Sequence, residues 1–152
     1  MPVDALQVAI KAVIRASEII LETFGNPEGI EYKSGVDVVT DTDKRCEEEI
    51  VSILRSETPD FGIIAEEGTN FPGEKVWIVD PLDGTTNFSH SYPFCGPSIG
   101  LSLGDEVLVG VLADPFRDEL FFAAKGNGAY MNDLHNTGTP QKLSVTSVDT
   151  LH

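Results

Sequence analysis

The stretch VWIVDPLDGTTNF, residues 76–88, decides the fold because it joins a strand, a turn and the start of a helix. Its apolar first residues predict a buried strand that delivers Asp80 to one end of a sheet. Pro81 fixes φ and lacks an N–H group, so we expect it to end this strand. Gly84 permits a backbone conformation that a side chain would block, and Thr85 suits the first turn of a short helix.

Oxygen atoms dominate the same loop. Asp80 and Asp83 are close enough in sequence to face one space, and the Leu82 carbonyl lies between them. Thr85 and Thr86 follow at a predicted helix start, where backbone N–H groups and the helix dipole attract a phosphate. Hard cations such as Mg²⁺ prefer oxygen ligands of this kind. The loop therefore predicts a metal and phosphate site, although Asp-Gly after Pro is by itself typical of an ordinary turn.

Two helices are predicted before this loop. Residues 3–24 place apolar side chains at three- and four-residue spacing, which indicates an amphipathic helix. The segment 30–40 is short and β-prone. Thr40 and Asp43 then have the spacing of a capping box, which predicts a second helix over about residues 41–57.

Short β-prone runs separated by turn residues fill the rest of the chain. Sequential strands joined by tight turns predict an antiparallel meander, and helices followed by strands indicate an α+β fold. We therefore expect two N-terminal helices packed on a mainly antiparallel sheet. The predicted strands cover residues 61–65, 76–80, 94–103, 107–114 and 119–124, followed by one short strand in GNGAYMN.

Composition narrows the classes of partner. The 152 residues contain 25 Asp and Glu against 10 Lys and Arg, a formal net charge of −15. Such a surface repels nucleic acid and anionic membranes, so we expect neither as a partner. The two cysteines, Cys46 and Cys95, form no Cys-x-x-Cys pair and fit a reducing cytoplasm. Charged residues interrupt the N-terminal helix, which excludes a signal peptide or a membrane span there.

Two further acidic pieces lie at the ends of predicted elements. IIAEEG places Glu66 and Glu67 after a strand, and VDVVTDTD ends in Asp43 at a helix start. Taken alone, each is more typical of a solvated turn or a helix-start acid. Their joint occurrence with the loop at 80–86 predicts one site, because active sites are built at element ends.

These segments resemble a known family. VDVVTDTD, IIAEEG and WIVDPLDGTTNFSHSYPFCGPSIG are similar to three N-terminal signatures of the inositol monophosphatase family, and KGNGAYMN and LSVTSV extend the likeness. The wider superfamily includes fructose-1,6-bisphosphatases and nucleotide phosphatases. The resemblance implies the N-terminal part of a layered αβαβα sandwich and a lithium-sensitive hydrolase of phosphate monoesters.

The resemblance also implies a ligand set. Glu66, Asp80 and the Leu82 carbonyl would hold a first Mg²⁺, and Asp80 would bridge to a second ion held by Asp83. Two or three ions are implied, with Mn²⁺ as an alternative. Two ions ~3.5–4 Å apart would bind both the attacking water and the leaving oxygen.

The remaining roles follow from the same resemblance. The phosphate would be surrounded by Asp83, Gly84, Thr85 and Thr86. Asp43 would hydrogen-bond Thr85, and this pair with Glu66 would position or deprotonate the attacking water. Further residues are expected to support the site from behind the ligands; these are Glu67 and Lys33.

The expected substrate is a small phosphorylated molecule, with myo-inositol monophosphate favoured. Fructose-1,6-bisphosphate and nucleotide phosphates stay open as substrates, as does a non-catalytic interaction module that retains the fold. The full-length protein is expected to be a cytoplasmic homodimer.

The family has a later Trp-Asp signature, whereas this sequence has only Trp77. We therefore expect residues 1–152 to be an N-terminal metal-binding α+β domain, truncated before a C-terminal domain and weakly active or inactive by itself.

Overall fold

The computed structural model describes residues 4–26, 29–34 and 37–150, and the side chains of residues 32–38 lie outside this description. The helices are α1 (Ala5–Thr23), α2 (Asp41–Glu57) and a short α3 (Thr85–Ser89). Ten strands complete the fold: β1 (Glu31–Ser34), β2 (Asp37–Val39), β3 (Gly62–Ala65), β4 (Asn70–Phe71), β5 (Lys75–Asp83), β6 (Gly96–Leu103), β7 (Glu106–Asp114), β8 (Glu119–Ala124), β9 (Gly128–Asn132) and β10 (Gln141–Leu143).

Both predicted long helices are confirmed, together with the reason each begins where it does. Asp4 caps α1, because its side chain accepts from the backbone N–H of Leu6 at 3.1 Å. Thr40 and Asp43 form the predicted capping box at the start of α2. Each cap satisfies N–H groups that the first helical turn leaves without an intrahelical acceptor, so the sequence fixes both starts locally.

The eight-stranded sheet has the order β10-β9-β8-β7-β6-β5-β3-β4, and β1 and β2 form a separate hairpin. From β5 to β10 every neighbouring pair is antiparallel, which confirms the predicted meander. The β3–β5 pair is parallel, and the two-residue β4 joins β3 at the edge. The fold class is therefore α+β, with helices on a mainly antiparallel sheet.

The prediction that Pro81 ends its strand is wrong. Strand β5 continues to Asp83, and its pairing with β6 is irregular between Asp80 and Asp83. A proline is tolerated inside a sheet where a bulge already removes a ladder hydrogen bond, and this irregularity provides such a place. The strand therefore passes through Pro81 instead of stopping before it.

One core lies between the helices and the sheet. The inner faces of α1 and α2 bury Ile20, Ile50 and Leu54 completely, together with Trp77 of β5. The Trp77 indole N–H donates to the Thr58 hydroxyl at 2.9 Å, which satisfies the one polar atom of this side chain. The packing fixes α2 against the sheet and so positions its N-terminus relative to β5. No helix within the described residues has the length and apolar character needed to cross a membrane.

Candidate metal and phosphate site

Parallel pairing of β3 and β5 brings Glu66 beside Asp80. Ala65 lies opposite Val79 in the ladder, and the Glu66 N–H donates to the Val79 carbonyl at 3.1 Å. Because parallel strands end at the same edge of a sheet, the next residue of each strand enters one space. The carboxyl groups of Glu66 and Asp80 consequently lie within hydrogen-bonding reach of each other.

The irregularity in β5 accounts for the closeness of Asp83. Asp80 pairs with Ser98 and Asp83 with Gly96, so three steps along β5 match two steps along β6. In a regular strand, side chains three residues apart point to opposite faces, and one extra residue shifts this alternation. The Leu82 N–H turns back to donate to Asp80 Oδ1 at 3.2 Å. The bulge thus brings the backbone of residues 81–83 close to the Asp80 carboxyl group.

The electrostatics of Asp80 reflect this crowding. Burial raises its pKa to about 7, together with the hydrogen bond to Glu66 and the negative charges of Glu66 and Asp83. The hydrogen bond from the Leu82 N–H acts in the opposite direction. The carboxyl groups of Glu66 and Asp80 are therefore held together against their mutual repulsion, and the charge of Asp83 adds to it.

This donor set fits a hard divalent cation. Carboxylate oxygens are what Mg²⁺ and Mn²⁺ prefer, and a cation would relieve the repulsion that raises the Asp80 pKa. Within the described part of the chain, no three or more His, Cys, Asp and Glu side chains are already arranged around one ion position. The fit consequently rests on the chemistry of the donors and on their crowding.

Asp43 links the start of α2 to the start of α3. Its side chain is 1% exposed, and Oδ2 accepts from the Thr40 N–H at 2.8 Å and from the Thr40 hydroxyl at 2.5 Å. Its other oxygen, Oδ1, accepts from the Thr85 hydroxyl at 2.6 Å. Thr85 Oγ1 also lies 3.0 Å from the Leu82 carbonyl oxygen. The Asp43–Thr85 contact implied by the resemblance is therefore present in the structure.

Gly84 joins the end of β5 to the start of α3 in a tight turn. Its φ is +90°, and an added Cβ would lie 3.0 Å from the Phe94 carbonyl oxygen and from Cys95 Cβ. Only glycine combines this backbone conformation with such close approach. Helix α3 then begins at Thr85, with Thr86 exposed in its first turn. The predicted helix start is confirmed, whereas phosphate binding there stays a prediction.

The structure describes the side chain of one of the two expected supporting residues, and the supporting role of each stays a prediction. Glu67 is half-buried, and its N–H donates to Glu47 Oε2 at 2.6 Å. The Lys33 side chain lies outside the described residues, so its expected role stays a prediction. Sequence reasoning missed Glu47, although a signal was present. Helical spacing places the Glu47 carboxyl group on the buried face of α2, together with Asp43, Cys46 and Ile50.

A cavity of about 450 Å³ opens beside the loop. Its lining includes Asp83 and Gly84 of the loop, together with Phe94, Asp114 and Arg117. The Arg117 guanidinium donates to Asp114 Oδ2 at 2.6 Å and lies over the Phe94 ring. The predicted phosphate loop therefore borders a space large enough for a small polar molecule.

Fold and site together define an α+β protein with acidic groups gathered at the strand ends of a helix-covered sheet. The sequence model of the inositol monophosphatase family matches residues 2–152. The chain belongs to the inositol monophosphatase family. This confirms the resemblance that the signatures indicated.

Two relatives and one solved structure support this family assignment. Inositol monophosphatase 3 of Solanum lycopersicum is 45% identical over 148 residues, which cover 93% of this chain and 53% of that protein. Nus factor SuhB of Pasteurella multocida is 39% identical over 134 residues, which cover 85% of this chain and 50% of that protein. The solved structure of an IMPase from Thermotoga maritima superposes with a TM-score of 0.80 at 35% identity, and covers 85% of this chain and 51% of that one. The chain thus spans about half the length of these relatives.

Proposed function

We propose that the full-length protein is a Mg²⁺-dependent phosphoric monoester hydrolase, and that residues 1–152 are its N-terminal metal-binding domain. The observation that carries this proposal is the crowding of Glu66, Asp80 and Asp83 beside the Asp43–Thr85 pair. The favoured substrate is myo-inositol monophosphate, because relatives of this chain bear the name inositol monophosphatase. Fructose-1,6-bisphosphate and nucleotide phosphates belong in the same test.

Glu66, Asp80, the Leu82 carbonyl and Asp83 would hold the ions. When bound, the ions would supply positive charge to the phosphate and make a nearby water molecule more acidic. Without that charge, the carboxyl groups of this acidic loop would repel a phosphate dianion. The same carboxylates that hold the cations therefore make binding of the substrate dependent on them.

The protein's own groups would orient the attacking water. Because the Thr85 hydroxyl hydrogen is directed to Asp43 Oδ1, the lone pairs of Thr85 Oγ1 are left to accept a hydrogen bond from water. Asp43 is buried and already accepts from Thr40, so it holds Thr85 instead of contacting the substrate. Glu66 is exposed directly after β3, and it would take a proton from that water.

The phosphate would bind at the start of α3, where the N–H groups of Gly84 and Thr85 precede the helical hydrogen bonds. The cavity lined by Asp83 and Arg117 would receive part of the remaining substrate. Thr86 would border the phosphate from the exposed side of the same turn.

The assembly and compartment are part of the same proposal. Cys46 and Cys95 are both free and buried, which supports a reducing, cytoplasmic location. A homodimer is supported by the family resemblance.

The test is phosphate release by the full-length protein from a panel of monoesters, with Mg²⁺ varied. Asp80→Asn should lower kcat/KM by at least ~100-fold, because it removes a charged ligand between two ion positions. Asp105→Asn is the matched control, since Asp105 is exposed in the turn between β6 and β7. Unchanged activity of Asp80→Asn would refute the assigned metal role.

A non-catalytic interaction module is the second candidate, favoured by the relative named Nus factor SuhB. The grouped carboxylates oppose it, because a module without catalysis has no need to hold Glu66, Asp80 and Asp83 together. Titration calorimetry with Mg²⁺ separates the two. A protein that binds no Mg²⁺ and releases no phosphate, yet binds a defined protein partner, would support the module.

A further inference from the structure

Glu47 is a buried carboxylate that lies outside the predicted ligand set. It is 5% exposed and sits one helical turn after Asp43 on α2. Oε2 accepts from the Glu67 N–H at 2.6 Å, and Oε1 accepts from the Thr69 N–H at 3.0 Å and from the Thr69 hydroxyl at 2.6 Å. All three donors belong to the turn that follows β3.

Both oxygens of this buried carboxylate are satisfied by donors from one turn. Its three donors are neutral, whereas a buried carboxylate is costly unless hydrogen bonds or a cation stabilise its charge. An apolar side chain at this position would fill the same helix face without that cost. The carboxylate instead gives α2 a directional attachment to one particular turn, since hydrogen bonds constrain both distance and angle.

The attached turn is the one that carries Glu66. The start of the turn is fixed to β5, because the Glu66 N–H donates to the Val79 carbonyl at 3.1 Å. The two ends of the turn are joined by the Ala65 N–H, which donates to the Thr69 carbonyl at 2.9 Å. Gly68, with φ of +120°, closes the turn. Glu47 supplies a further attachment, from the helix whose first turn carries Asp43. One helix therefore holds both the water-orienting pair and the turn that carries Glu66.

We propose that Glu47 is a positioning residue, which fixes the turn at residues 66–69 to α2 and so holds the Glu66 carboxylate against Asp80. This inference rests on the proposed metal site. Without the attachment, the turn would keep its bonds to β5 but could move away from α2. Glu66 would then spend less time in reach of the ions, and metal affinity would fall.

The test compares Glu47→Gln with Glu48→Gln in the full-length protein. Glu48 is exposed and adjacent, so its variant controls for loss of one charge from α2. Gln keeps the shape of Glu47 but points an NH₂ group at N–H donors. Titration calorimetry with Mn²⁺ should show affinity about 10-fold weaker for Glu47→Gln, the lower end for loss of a group that orients ligands. Glu48→Gln should bind Mn²⁺ as the wild type does.

A second variant keeps the test decisive if Glu47→Gln does not fold. Thr69→Val removes only the hydroxyl that donates to Glu47, and should weaken Mn²⁺ binding about threefold. Hydrogen exchange read at the Glu67 and Thr69 amides, without metal, should be faster in both variants than in Glu48→Gln.

The outcomes separate the two proposals. Wild-type Mn²⁺ affinity in Glu47→Gln and Thr69→Val, even with a lowered melting temperature, would show a merely structural contact and overturn the positioning role. A wild-type protein that binds no Mn²⁺ would refute the proposed function itself, and this inference with it.

Discussion

Asp43→Asn should abolish activity while leaving the fold largely intact. The amide can keep an oxygen toward Thr40 and turn its NH₂ group toward Thr85, so the bond between residues 43 and 85 survives with its direction reversed. The Thr85 hydroxyl would then accept from residue 43, and its hydrogen would turn to the Leu82 carbonyl oxygen 3.0 Å away or to the water itself. One of its two lone pairs would be occupied, and the remaining one would no longer point where the proposed mechanism needs it. The residue keeps its place but loses the orientation that the proposed mechanism needs.

The stability cost follows from what the substitution changes. Replacing a charged acceptor by a neutral one weakens the bonds to the Thr40 N–H, the Thr40 hydroxyl and Thr85, a net loss of about 1–2 kcal/mol in the free energy of unfolding. Loss of a negative charge in the first turn of α2 adds about 0.3–1 kcal/mol. For a chain of this length, such a total corresponds to a fall in melting temperature of about 3–12 °C. The predicted loss of kcat/KM is much larger, at least ~100-fold, the range of one removed acid–base contribution.

The assays are phosphate release by the full-length protein and urea unfolding followed by tryptophan fluorescence, since Trp77 is completely buried. Asp41→Asn is the matched control, because Asp41 is an exposed acid in the same first turn and shares the helix-dipole term. Activity within twofold of wild type in Asp43→Asn would refute the assigned orientation of Thr85. A loss above ~5 kcal/mol would refute the view that the amide can replace the carboxylate.

Two other substitutions, one thiol reaction and one pH dependence test the surrounding structure. In thermal unfolding, Gly84→Ala should lower the free energy of unfolding by about 2–4 kcal/mol, because it adds both a strained φ and a close contact. Gly104→Ala is the control: Gly104 has φ of +56° and open space around it, so this variant should cost only about 1 kcal/mol. Trp77→Phe should cost about 2–4 kcal/mol in urea unfolding, because it leaves a cavity and removes the hydrogen bond that the indole N–H donates to the Thr58 hydroxyl. A cost below ~0.5 kcal/mol, as at an exposed site, would contradict this packing. Burial raises the pKa of Cys46 and of Cys95 to about 12. Because Cys46 is completely buried, a thiol reagent at pH 8 should reach this cysteine only on unfolding. The folded-state pKa of each thiol lies above its ordinary value of 9.0. The stability they contribute is therefore present below about pH 9 and is lost as pH rises toward 12, which unfolding midpoints between pH 8 and pH 11 would show.

Local chemistry accounts for the features that the sequence predicted correctly. The starts of α1 and α2 are set by Asp4, Thr40 and Asp43, whose side chains bond to backbone groups within one turn. The meander from β5 to β10 follows from tight turns between neighbouring strands. Gly84 could be assigned for the same reason, because its positive φ is a property of the turn it occupies.

Pairing between strands decided the features that the sequence did not predict. The parallel register of β3 and β5 places Glu66 beside Asp80, and nothing within either segment specifies which strand will be its neighbour. The continuation of β5 through Pro81 depends on its irregular pairing with β6, which the strand by itself does not reveal.

The sequence thus determined which acidic groups are available and which helix and turn each belongs to. Only the tertiary structure decided how closely they meet, and that Glu47 joins α2 to the turn carrying Glu66. The physical reason is the range of the interactions: caps and tight turns act within a few residues, whereas the pKa of Asp80 depends on charges brought together from different elements.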